Sequence, residues 1–269
     1  MVERLLAPVV DFARIGRLWI RAAMAYPASF WMLMVGTFVM TGLDFAAILV
    51  IFGRVDRLGG FSLSEVAFLY AGTGLAIAFG DLVVGRVERL GQMIRLGRLD
   101  TMMTKPVPLL VQVLADEFAL RRLARVVQAG LVYAWAASHI DWDAARAAVA
   151  MLMVVTGTLI FSGMFISLAC IQFWTIDSAE LSSAFTYGGN TMASYPLTIY
   201  PGEVVKVLTF VVPIAFVNWY PALFILDRSD PFGFPSWLQL ASPVAAAAVL
   251  GLTALAWRSG VRHYRSTGS

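Results

Sequence analysis

Few residues in this chain combine a reactive type with a suggestive spacing. Asp44 stands in Thr41-Gly42-Leu43-Asp44-Phe45, inside a long apolar run. A carboxylate at the bilayer centre costs about 2.5–3.5 kcal/mol on insertion scales, so such a residue usually faces a cavity or a partner. Asp44 is therefore a candidate for a translocation path or a subunit contact. A structural hydrogen bond, or a position nearer the outer surface, is the plainer alternative. Asp141 and Asp143 flank Trp142, a spacing that suits an acid–base pair or a simple acidic turn. Asp81 and Glu88 lie beside Arg86 and Arg89, which predicts local ion pairs. His139 and His263 are isolated, and the single cysteine, Cys170, lies in an apolar run as a small packing residue. Two scattered histidines and one thiol make neither a metal site nor an intramolecular disulfide.

The missing motifs narrow the chemistry further. The sequence has no G-x-x-x-x-G-K-[ST] loop to cradle phosphates. It has no serine in G-x-S-x-G. The chain is expected to bind no metal or cofactor, to hydrolyse no ATP and not to be an enzyme.

The elements that carry these residues are read from composition and periodicity. Of the 269 residues, 59% are hydrophobic and 14% charged. A soluble domain has about 25% charged residues. Mean hydropathy is +0.77. Apolar runs recur at about 20 residues, the length of a helix that crosses a bilayer. The class is an all-α membrane protein. The net charge of +3 comes from basic residues beside apolar spans, with no solvated patch for nucleic acid.

The whole chain, 1–269, reads as one transmembrane domain. Residues 1–28 hold an amphipathic interface helix over 3–23: Leu5, Val9, Phe12 and Trp19 share an arc opposite Arg14, Arg17 and Arg21. Residues 29–84 contain two spans, near 30–52 and 63–84. Residues 85–110, GRVERLGQMIRLGRLDTMMTKPVPLL, form a basic polar loop with a short helix in it. Residues 111–173 hold spans three and four. The third is part of one long helix, 109–138, that enters the membrane near Arg125; the fourth runs from about 147 to 173. Residues 174–239 are interrupted by Pro196, Pro201, Pro213 and Pro221, too many for one helix. They predict a crossing over 177–199 and a shallow re-entrant pair, 202–211 and 213–226. Irregular backbone at that depth needs shielding by protein or a cavity. Trp219, Tyr220 and Trp237 fit an interfacial aromatic belt. Residues 240–269 form a last span and a basic tail.

Six spans place fifteen of the twenty Lys and Arg residues on the side of the loop and both termini. The positive-inside rule makes that side the cytoplasm. A seventh span would put the Arg-rich tail outside.

Several motifs resemble one family. Arg95-Leu96-Gly97-Arg98-Leu99-Asp100, then Lys105-Pro106-Val107-Pro108, resembles the R-x-G-x-L-D…(K/R)-P stretch of ABC-2 type export permeases. The likeness is to their small six-span subgroup, often encoded in pairs. Phe173-Trp174, Tyr195-Pro196-Leu197-Thr198-Ile199-Tyr200-Pro201, Pro213-Ile214-Ala215-Phe216 and Tyr220-Pro221 fit the same pattern in order. The chain departs from it at Thr101-Met102-Met103-Thr104, where a leucine-rich run is expected.

The resemblance implies a permease subunit of an ATP-binding cassette exporter in the bacterial inner membrane, multi-pass, with both termini cytoplasmic. It implies a dimer with a sister permease or a second copy, set in membrane lipid. Two copies of a separate ATPase subunit would carry ATP and Mg. The N-terminal helix becomes a connecting helix. Ile94, Arg95, Gly97, Arg98, Leu99, Asp100, Lys105 and Pro106 become a cytoplasmic coupling helix and its flank. Tyr195, Pro196, Tyr200, Pro201 and Pro213 become an outer re-entrant gate. An ion-gradient-driven transporter using Asp44 is the alternative, and a membrane-embedded transferase using Asp141, Asp143 or Glu203 is a third reading.

Overall fold

Helix α1 (Pro27–Phe52) opens on a proline that the first helical turn tolerates because its missing N–H has no acceptor there. The computed structural model describes residues 26–116, 122–175 and 179–264, apart from the side chains of 179 and 181–183. The expected helix over 3–23 and the end of the tail lie outside these residues.

Helix α2 (Leu63–Val84) starts at Ser62, whose backbone N–H donates to the Glu65 carboxylate at 2.7 Å. This contact belongs to a capping box. After Val84 the chain tightens into a 3-10 turn, Gly85–Arg89. Two short helices follow, α3 (Leu90–Arg95) and α4 (Arg98–Met103). Of the helix expected over 109–138, the described residues hold α5 (Leu109–Ala115) and α6 (Leu123–Ala137); residues 117–121 between them lie outside the described residues. Helix α7 (Ala144–Cys170) is capped by Asp143, whose carboxylate accepts from Arg146 N–H at 2.7 Å. Asp143 is thus a helix cap, and Arg146 also reaches Asp227 at 3.3 Å.

The proline-rich region folds into short pieces. Helix α8 (Ala179–Ala193) precedes a 3-10 turn, Leu197–Ile199, and α9 (Gly202–Phe210). A second 3-10 turn, Ile214–Phe216, leads to α10 (Trp219–Ile225). Pro196, Pro201 and Pro213 each sit just before one of these pieces. The carbonyl of Pro201 accepts from Val204 and Val205 at 2.9 and 3.2 Å, so the proline ends one element and starts the next. Segments Gly202–Phe210 and Ile214–Ile225 meet at a 78° bend, at the place where the prolines predict a re-entrant pair. Helix α11 (Ser242–His263) closes the chain.

Among the described residues, four helices have the length and hydropathy to cross a membrane: Pro27–Phe52, Leu63–Arg95, Ala144–Phe173 and Ser242–His263. The bent pair makes a fifth at most. Helices α6 and α8 have 15 residues each. At 1.5 Å per residue each is about 22 Å long, short of a hydrocarbon core of about 30 Å. The predicted six-span count therefore exceeds what these lengths alone supply.

Helix α2 is the axis of the packing. Its apolar window is 72% buried, against 6% for α1. It lies against α6, α7 and α8, while α11 packs on the other side of α7. Gly157 lets α7 close on α2 and on the turn before α10: a Cβ there would stand 2.9 Å from that of Ala76 and 3.1 Å from the Val217 carbonyl oxygen. Small residues at such crossings bring helices close in membranes.

One expectation is corrected here. Trp219 and Tyr220 are 3% and 1% exposed and belong to the core, whereas Trp237 is 66% exposed. Their helix is the inner arm of the bent pair. The Trp219 ring packs on Phe61 and that of Tyr220 on Phe216.

Candidate functional site

The basic loop folds into a two-helix bracket. Gly97 joins α3 to α4 with φ +63°, in the left-handed region. A residue with a Cβ pays roughly 1–2 kcal/mol there, so glycine suits the joint. The break turns the single expected helix into two short ones.

The bracket has an inner and an outer face. Leu90, Met93, Ile94, Leu99 and Met102 are buried in the core. Arg95, Arg98, Thr101, Lys105 and Pro106 are exposed, and Leu96 between the two arginines is 62% exposed. Of the predicted coupling residues, Ile94 and Leu99 therefore anchor the bracket. Arg95, Arg98, Lys105 and Pro106 are its exposed residues, with half-buried Gly97 and Asp100 between.

Polar contacts fasten the bracket to α5 and to the ends of α7 and α11. Gln172, fully buried just beyond α7, accepts from Gly91 N–H and donates to the Glu88 carbonyl at 3.0 Å. Gln112 donates to the Met102 and Val107 carbonyls at 2.9 and 2.6 Å. Arg98 pairs with Asp116 at 3.1 Å, and Arg86 reaches the same carboxylate at 3.6 Å. Just past α11, the Tyr264 hydroxyl donates to Asp100 at 2.9 Å. Burial and the Asp100 carboxylate push that phenol up to about 12. The Phe173 ring lies 5.6 Å from Trp257 and 6.4 Å from Tyr264, over Gly260 where a Cβ would collide with it. Two long helices thus end on one bracket.

The predicted ion pairs of Asp81 are also corrected. Asp81 pairs with Arg122 at 3.2 Å and Arg125 at 3.6 Å, both near the start of α6. Arg122 also donates to the Asp81 carbonyl at 2.8 Å. The 3-10 turn from Gly85 redirects Arg86 to Asp116.

Asp44 lines a polar cavity of about 240 Å³ between α1, α2, α6 and α8. Tyr70, Arg125, Gln128, Tyr187 and Asn190 share the wall. The Tyr70 hydroxyl donates to the Thr41 carbonyl at 3.1 Å, and the Arg125 guanidinium sits 5.7 Å from the Tyr187 ring centre.

The opposite end carries the predicted gate. Tyr195, Tyr200 and Pro213 are half-buried, Pro196 is buried and Pro201 is exposed. An apolar groove of about 530 Å³ runs between α8 and α9, past Phe185, Met192, Val204 and Val207. Fully buried Asn218 donates to the Leu69 carbonyl at 2.6 Å and to Thr73 Oγ1 at 2.9 Å, fixing the bent pair to α2. Arg228 grips Glu65 with two hydrogen bonds of 2.8 and 2.9 Å and lies 4.4 Å over the Phe61 ring. Glu203 pairs with Lys206 at 2.8 Å on the surface.

No group of three metal-ligating side chains occurs among the described residues. His139 packs on Trp135 and His263 on Trp174, and Cys170 is buried as a free thiol. Sequence reasoning missed Gln172, Leu96 and Asn218. For Gln172 a signal existed: an amide at the end of an apolar run, next to Phe173-Trp174.

No curated protein and no solved structure matches the chain. The family model described as ABC-2 family transporter protein matches residues 38–268, which include the bracket, the cavity and the bent pair. The chain is a multi-pass, all-α membrane protein, and with that match it belongs to the ABC-2 family of transporter proteins, as a permease.

Proposed function

We propose that this permease exports its substrate by alternating access driven by two copies of a separate ATPase subunit, which hold the ATP and Mg. The observation that carries the reading is the bracket. It offers Arg95, Leu96 and Arg98 outward and is fastened inward to the ends of α7 and α11. A partner that presses on it displaces two long helices together. The exposed leucine supplies an apolar anchor for that partner.

In this reading the bracket is the coupling helix, cytoplasmic together with both termini. Helices α6 and α8 complete the six spans of this reading. The bent pair is an outer re-entrant gate, residues 3–23 form a connecting helix, and the working unit is a dimer with a second copy or a sister permease. The membrane is the bacterial inner membrane.

The test is co-purification of the permease with a candidate ATP-binding cassette ATPase subunit co-expressed with it. Leu96→Asp places a charge on the exposed face, where the side chain is 62% exposed. Wild-type retention with loss in Leu96→Asp supports docking at the bracket. Full retention in Leu96→Asp refutes it.

A further inference from the structure

We propose that the turn at Gly59-Gly60 is a clasp on the bent pair, in which Thr198 is the contact that releases and Arg228 the contact that holds. The proposal rests on the reading of that pair as an outer gate and adds the residues that free it.

The turn is built as a fixed point. Leu58 and Phe61 exchange backbone hydrogen bonds of 2.9 and 3.0 Å around the two glycines. Gly59 and Gly60 have φ +58° and +89°. Two successive left-handed residues make a tight turn that glycine forms without strain. Phe61, 3% exposed, seats the turn in the core, with the Trp219 ring 5.4 Å away. Both glycine carbonyls accept from the chain around the bent pair. That of Gly59 accepts from Thr198 Oγ1 at 2.8 Å, four residues before α9. That of Gly60 accepts from Arg228 at 3.2 Å, three residues after α10. The approach at Thr198 is so close that a Cβ on Gly59 would collide with the hydroxyl oxygen.

The two flanks are held unequally. Arg228 also forks the Glu65 carboxylate at 2.8 and 2.9 Å, and its own carbonyl accepts from Gln239 at 3.1 Å. Thr198 contributes one bond between neutral groups at an exposed site. Charge-assisted bonds are roughly twice as strong as neutral ones, so Thr198 lets go first. Leu197, 1% exposed, keeps the chain before Thr198 in the core, whereas Ile199 and Pro201 are exposed. Release therefore frees the chain from Ile199 into α9. Near the other end of α9, buried Thr209 is hydrogen-bonded to Tyr220 at 3.0 Å, which makes that end the pivot. The apolar groove of about 530 Å³ between α8 and α9 gives the arm room to swing and an apolar wall to close on.

The test is amide hydrogen exchange on the full-length permease in phosphatidylcholine nanodiscs. Thr198→Val keeps the side-chain shape and removes the donor. It should speed exchange across 199–210 by about threefold or more, and leave 62–84 and 227–240 unchanged. Thr198→Ser keeps the hydroxyl and should match wild type. Wild-type exchange over 199–210 in Thr198→Val, equal acceleration in Thr198→Ser, or acceleration spread over 62–84 and 227–240 would each overturn the proposal. The last result marks a general loss of stability in place of a released flank. With the co-expressed ATPase and ATP added, 199–210 should also exchange faster in wild type. Absence of that response, with Thr198→Val still accelerated, would refute the ATP-driven reading and leave the clasp standing.

Discussion

The Tyr264 hydroxyl donates a 2.9 Å hydrogen bond to Asp100 Oδ1, across 164 positions of chain. It joins the end of the last long helix to the second arm of the bracket. Tyr264→Phe removes the bond and keeps the ring on Phe173. One such bond is worth about 0.5–1.5 kcal/mol, so folding should survive. Substrate moved per ATP hydrolysed in proteoliposomes should fall. An unchanged ratio would show that the bond carries no motion.

The same pair has a defined pH response. Burial and Asp100 raise the Tyr264 phenol from 10.0 to about 12. A group whose folded pKa is raised contributes stability fully present below the unfolded value and lost as pH climbs through the folded one. The latch should therefore be insensitive to pH below about 10 and fail between about 10 and 12. The difference in phenolate absorbance between wild type and Tyr264→Phe reads this directly. A difference that titrates near neutral pH contradicts the assignment.

Gln172 holds two backbone groups of the bracket, Gly91 N–H and the Glu88 carbonyl. Gln172→Leu leaves both without that partner in a buried setting. Each such loss costs about 1–3 kcal/mol. The solubilised variant should melt measurably lower than wild type, and Gln172→Glu should not rescue it because a carboxylate cannot donate to Glu88. A wild-type melting curve for Gln172→Leu refutes the clamp.

Much of the fold was legible from the apolar runs and prolines. The boundaries of α2 and the bend at Pro213 follow from local rules: a capped apolar helix and residues that cannot continue one. Pairings between distant segments were not legible. Asp81 stands close to Arg86 and Arg89 in sequence, yet it pairs across space with Arg122 and Arg125. Trp219 and Tyr220 have the composition of an interfacial belt, but the 78° bend turns them inward. The bracket motif was readable as a unit. Which of its residues face outward depends on the left-handed turn at Gly97, and spacing alone does not reveal that.

At the far end, Arg228 meets Glu65 through a two-bonded fork and covers the Phe61 ring. Arg228→Lys keeps the charge and loses the planar fork. The melting temperature should drop by an amount matching about 1 kcal/mol or more. Combining Glu65→Gln with Arg228→Lys should add little further loss, because the two residues act as one pair. Additive losses would place the contribution elsewhere.

The central claim is that the exposed face of the bracket receives the ATPase. Amide hydrogen exchange of the permease, with and without the ATPase, tests it most directly. Added ATPase should slow exchange across residues 95–106, with lesser change at α9. Protection elsewhere on the loop side with 95–106 unaltered would contradict the account.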